Sequence, residues 1–180
     1  MTTMSEGYLV VLRWQLPTET LYNPQYKGVY RIPPFSMEKY ENGFDDPYLF
    51  GKYTDDDGLI PELSLAKEML QDYTEIEPSQ NLEIIYARNQ QTFSSKPISK
   101  DLLFLGFDIA TTMPFWSIVN DSPAPSDPRF HDYLKLLNES GLFDSEKVVG
   151  DYLASYLLHY PSKGKHLRIW EVYVYLGNSQ

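Results

Sequence analysis

Leu167-Arg-Ile-Trp-Glu-Val-Tyr-Val-Tyr-Leu176 is the stretch on which the fold turns. Trp170, Val172, Val174 and Leu176 alternate with Glu171, Tyr173 and Tyr175. Alternation at period two belongs to an extended chain, so this is a long closing strand. Upstream of it the period changes. Val149, Tyr152, Leu153, Tyr156, Leu157 and Tyr160 recur at helical spacing, and Asp144 or Ser145 stands where an N-cap is needed. Phe130, Tyr133, Leu134 and Leu137 predict another helix over Pro128–Ser140. Gly141 follows as its left-handed terminator, and Leu142 as the apolar residue that packs back. Pro161–Lys165 is the loop that leads into the closing strand.

The same reading carried toward the N-terminus gives more strands and a third helix. Residues 6–16 place Tyr8, Val10, Leu12, Trp14 and Leu16 on one side of a strand that Pro17 ends. Val29–Ile32 reads as a short strand, and Asn81–Ala87 as one with Leu82, Ile84 and Tyr86 on one side. Leu102–Ala110 is a nearly unbroken apolar run, hence a buried strand, and Phe115–Val119 is another. Pro61–Tyr73 is a helix with Leu63, Ala66, Leu70 and Tyr73 along one stripe. Residues 17–58 are otherwise a long irregular region, acidic and aromatic, where Pro33-Pro34 blocks regular structure. The order is strand, loop, helix, strands, two helices, strand. It lacks a regular strand–helix alternation, so the class is α+β: a mainly antiparallel sheet with about three helices packed on it as a single pair of layers. The first and last strands, the longest, are expected as central neighbours. No repeat or linker divides the chain, so residues 1–180 are expected to form one domain.

Composition narrows the function. With 180 residues, 42% of them hydrophobic and 15% aromatic, the chain can enclose a core without covalent staples. It has no cysteine, which excludes disulfides, thiolate metal sites and cysteine nucleophiles. The apolar run Tyr8–Leu12 is too short for a signal peptide, and no stretch approaches a membrane span, so a cytoplasmic location is expected. A net charge of −10 disfavours nucleic acid and anionic membranes as partners. That charge is segregated. Between Glu41 and Glu77, eleven acidic residues face only Lys52 and Lys67, a net −9. A localised field of this kind attracts a basic partner, although a solvated acidic face has the same composition.

Chemistry-bearing motifs are few. His131, His159 and His166 have no metal-ligand spacing. Asp55-Asp56-Asp57-Gly58 fails as a calcium loop, because the first and twelfth positions would be Tyr53 and Ser64. No glycine-rich phosphate loop and no Gly-x-Ser-x-Gly elbow is present. No cofactor and no catalytic residue is therefore expected. One enzymatic option remains. Asp108 and Glu171 sit within apolar strands, where a carboxylate must be paired or shifted in pKa, and together they could serve as an acid/base pair in a hydrolase. The structural alternative has Asp108 satisfying backbone amides and Glu171 pairing with Arg13, Arg168 or solvent.

The run Leu103-Phe-Leu-Gly-Phe-Asp-Ile-Ala110 is followed by Phe115-Trp-Ser-Ile-Val-Asn-Asp121. Then come Tyr133-Leu-x-x-Leu-Asn-Glu-x-Gly-Leu-Phe143 and Trp170-Glu-Val-Tyr-Val-Tyr175. Across residues 82–176 this pattern resembles small bacterial immunity proteins, which are encoded beside polymorphic or contact-dependent toxins and block them. The resemblance implies a non-enzymatic inhibitor of a toxin domain and assigns no functional residue. The acidic, aromatic stretch supplies the expected contact residues for a basic partner: Asp45, Asp46, Tyr48, Tyr53, Asp55, Asp56, Asp57 and Glu62. A structural domain that self-associates through its tyrosine-rich sheet is the third reading.

Overall fold

The computed structural model describes residues 6–14, 29–31, 53–54, 58–76, 81–90, 98–111, 119, 126–164 and 166–177. Their strands are β1 (Glu6–Trp14), β2 (Val29–Arg31), β3 (Leu82–Asn89), β4 (Leu102–Ala110) and β5 (Arg168–Tyr175). The helices are α1 (Leu63–Ile76), α2 (His131–Leu134) and α3 (Glu146–His159). The strands form one sheet in the order β2-β1-β3-β5-β4, and each neighbouring pair is antiparallel. The class is α+β, as the order of patterns predicts.

The first and last strands are not neighbours, because β3 separates them. Register explains why. Ile85 and Ala87 project from one face of β3 and Ile84 from the other, and all are at most 3% exposed. A strand buried on both faces belongs in the middle of a sheet. Leu82, Ile84 and Tyr86 are only one of the two apolar sides of β3.

One face of the sheet bears the helices. Helix α1 covers β1 and β3, packing Ala66, Met69 and Tyr73 on Val10 and Ile84. Helix α3 covers the other end, where Val149, Tyr152 and Tyr156 join Phe107 and Ile109 of β4. Phe130 is fully buried there, with the rings of Tyr152, Tyr156 and Tyr160 within about 6 Å. On the opposite face, Leu9, Val11, Ile85, Trp170 and Val172 are also buried, in a cluster with Leu59 and Leu142.

Helix α3 begins where Ser145 Oγ accepts from Val148 N at 3.5 Å, which chooses Ser145 over Asp144 as the cap. Helix α1 opens at Leu63, two residues after Pro61, and runs on to Ile76. The helix expected over Pro128–Ser140 is broken. A 3-10 turn at Pro128–Phe130 leads into the four residues of α2. The chain then turns, because Asn138 Oδ1 accepts from Ser140 N and Leu142 N at 2.9 and 3.2 Å. A side chain that takes up the local amides competes with the helix for them. Gly141 has the expected left-handed backbone, with φ 77°, but it closes this turn and not a helix. The 3-10 turn is itself anchored. Asp127 accepts from Arg129 N at 3.1 Å and from the Tyr160 hydroxyl at 2.6 Å. Hydrogen bonds from Arg129 and then Tyr160 hold the Asp127 carboxyl below the usual carboxylate range. Of the strand expected at Phe115–Val119, only Val119 lies among the described residues, and it is buried beside α3.

Candidate functional site

Acid is displayed on α1. The helix buries Ala66, Met69 and Tyr73 along one stripe. At 3.6 residues per turn, this puts Glu68 and Glu75 on the opposite side and Asp72 on the flank. Glu68 and Glu75 are exposed, as is Glu62 just before the helix, where it accepts from Ser64 Oγ at 3.2 Å. Asp72 is half-buried and accepts from the Tyr53 hydroxyl at 2.6 Å. Tyr53 itself is 5% exposed and packs with Ala66 and Met69. It therefore braces α1 and offers no surface to a partner. Asp45, Asp46, Tyr48, Asp55, Asp56 and Asp57 lie outside the described residues.

Asp108 and Glu171 are on paired strands but on opposite faces of the sheet. Asp108 stands opposite Trp170, and Glu171 opposite Phe107. Asp108 is 2% exposed and its Oδ1 accepts from Ile109 N at 2.8 Å. Glu171 is paired across the strands with Arg88 and accepts from the Tyr173 hydroxyl at 3.0 Å. Its cation is thus Arg88 of β3, and not the Arg168 of its own strand. Two carboxylates on opposite sides of a sheet cannot act on one bond. Among the described residues, no three His, Asp or Glu side chains converge as a metal site, and no helix is long and apolar enough to cross a membrane.

The sheet also assembles a strip that the sequence does not display. Tyr8, Tyr86, Tyr173 and Phe104 come from β1, β3, β5 and β4 and form one row between α1 and α3. Their ring centroids are 5.2, 6.1 and 5.3 Å apart along the row. Alongside runs a charged row of Glu6, Arg88 and Glu171, in which Glu6 accepts from the Tyr86 hydroxyl at 2.9 Å. No linear motif advertises such a strip, since each ring comes from a different strand. Only the register brings them together.

Several tyrosines are raised above their ordinary value of 10.0: Tyr73 by burial, Tyr86 by burial and then by its bond to Glu6, Tyr173 by burial and then by Glu171. The fold therefore prefers their protonated forms. That contribution is complete below pH 10.0 and is lost as the pH climbs through the raised values. Alkaline unfolding is expected to coincide with the ionisation of these buried tyrosines. Tyr86→Phe, which removes the ionising group, should move the transition to higher pH. A Tyr86 tyrosinate signal, read as the difference between wild type and Tyr86→Phe, that appears well before unfolding would contradict this.

Compared with known proteins, the chain matches no family model, no curated protein and no solved structure.

Proposed function

We propose that this chain is a non-enzymatic inhibitor, an immunity protein that neutralises a cognate bacterial toxin in the cytoplasm by docking an acidic surface on a basic domain. The observation that carries the reading is the segregation of charge. Nearly all of the net acid falls between Glu41 and Glu77, and in the part of that stretch formed by α1 it points outward as Glu68 and Glu75. An acidic patch on a folded scaffold steers a basic partner into contact and selects against acidic ones. Glu62 lies at the start of the same surface, and Asp55, Asp56 and Asp57 precede it in the chain.

The test is co-expression of the tagged chain with the product of the adjacent gene, followed by capture at increasing salt. A stoichiometric complex that dissociates as ionic strength rises supports the reading. Reversing Asp55, Asp56 and Asp57 to Lys should then weaken the complex by about tenfold or more at low salt, with the circular dichroism unchanged. Reversing Glu68 and Glu75 should act in the same direction. An affinity that ignores both sets of reversals would sink the charge-steered interface. Elution of the chain alone at every salt concentration would sink the inhibitor reading.

A further inference from the structure

Strand β4 ends the sheet on one side, and its outer edge is closed along only part of its length. Toward its C-terminal half the edge is occupied. Phe107 N donates to Phe143 O at 2.8 Å, and Phe143 N donates back to Phe107 O at 3.0 Å. The Leu105 carbonyl accepts from Asn138 Nδ2 at 2.8 Å. Toward the N-terminal half no described strand pairs with it. Leu176 N donates to Asp101 O, so Asp101 and Leu103 face β5, while Leu102 and Phe104 face away by alternation. The Leu102 amide is used by Ser99 O at 3.1 Å. Among the described residues nothing bonds the Phe104 amide or the Leu102 carbonyl.

The side chains here are as unusual as the backbone. Leu103 is 52% exposed, Phe104 41% and Leu176 48%, making three of the five large exposed hydrophobics among the described residues. Leu103 and Leu176 lie on one face of the sheet corner and Phe104 on the other. Leu102–Phe107 contains no charge and no proline, the residues that usually protect an edge strand. The one protective device is the bulge between Phe104 and Gly106, which limits the open stretch to about three residues without covering it.

We propose that this edge pairs with the same edge of a second copy of the chain, extending two sheets into one. An antiparallel copy related by a two-fold axis at Leu103 sets Phe104 opposite the copy's Leu102. The Phe104 amide then donates to the copy's Leu102 carbonyl, and the reciprocal bond forms by symmetry. The free donor and free acceptor are thus both satisfied, and the occupied Leu102 amide is not called upon. Leu103 meets its own counterpart on one face, and Phe104 covers the copy's Leu102 on the other. A long foreign strand finds no such run of free groups, because the Ser99–Leu102 turn and the Asn138 bond close both ends. A basic partner is drawn elsewhere, since α1 packs on β1 and β3. The acid on α1 does not oppose the pairing. Strand spacing near 4.8 Å puts the two β1 strands roughly 30 Å apart, against a Debye length of about 8 Å.

The experiment uses the intact chain, which has no cysteine of its own. Sedimentation of the wild type from low to high micromolar concentration should show a reversible monomer–dimer equilibrium. Leu103→Lys and Phe104→Lys should each raise its dissociation constant by at least about tenfold. Leu103→Cys supplies a second readout. At a two-fold axis the two Cα atoms are about 4.5 Å apart, inside the roughly 4.4–6.8 Å range of disulfides, so the variant should oxidise to a covalent dimer. Leu158→Cys, 79% exposed on α3, is the control and should cross-link far more slowly. A wild type that stays monomeric throughout overturns the proposal. Equal cross-linking of the two cysteine variants, or a dimer indifferent to both lysine substitutions, does so as well.

Discussion

Gly106→Ala is expected to cost about 2–6 kcal/mol, read as a lowered midpoint in denaturant with the slope unchanged. Gly106 sits in the β4 bulge with φ at 144°, a conformation that side chains on an L-residue rarely adopt. A Cβ there would lie 2.8 Å from Leu142 Cβ and 2.9 Å from the Phe143 carbonyl. The second neighbour is backbone and is held by its reciprocal bonds with Phe107, so it cannot yield without opening the edge. Strain of about 1–3 kcal/mol for the backbone adds to about 1–3 kcal/mol for the overpacking. Gly150→Ala is the matching control. It lies within α3, and its added Cβ meets nothing within 4 Å. Helix propensity alone then applies, and the variant should gain up to about 1 kcal/mol. Equal effects at the two glycines would refute the account of the bulge.

What could be read in advance divides by the range of the interaction. Strand β4 is legible at both ends, Leu102 and Ala110, because a buried strand needs only an apolar run. The α3 stripe at Val149, Tyr152 and Tyr156 is legible because helical spacing is a local property. The break after α2 is not, although Leu137 keeps the helical spacing. Leu137 leaves the helix to bridge Phe143, and the decision rests with Asn138, whose partners include Leu105 on a distant strand. The candidate site divides in the same way. The acidic bias of α1 is visible as composition and its outward direction as periodicity. The burial of Tyr53 and the pairing of Glu171 with Arg88 depend on which elements are adjacent. Asp108 and Glu171 look like a pair in one dimension because both interrupt apolar runs. Their separation to opposite faces follows from a register that no local pattern encodes.

Asn138→Ala should be the other severe substitution, at about 2–4 kcal/mol. A single amide here joins three segments. Its Nδ2 donates to the Leu105 carbonyl at 2.8 Å and to Asp144 Oδ1 at 2.6 Å, and its Oδ1 accepts from Ser140 N and Leu142 N. Ser140 and Leu142 are 7% and 2% exposed, so their amides find little water when the side chain is removed. Asn138→Asp offers a sharper test than truncation. It keeps the acceptor for both amides but replaces the donor with a second carboxylate facing Asp144 and the Leu105 carbonyl. It should therefore destabilise at neutral pH and recover part of the loss in acid, as protonation restores a donor. The consequence reaches beyond stability. The Leu105 carbonyl and the Phe107–Phe143 pair are what close the C-terminal half of the β4 edge. Loosening the turn lengthens the open edge from Leu102–Phe104 toward Phe107, so the folded fraction of Asn138→Ala should self-associate more strongly than the wild type. A variant that loses stability without any gain in association would mean that the turn supports the core while leaving the edge closed.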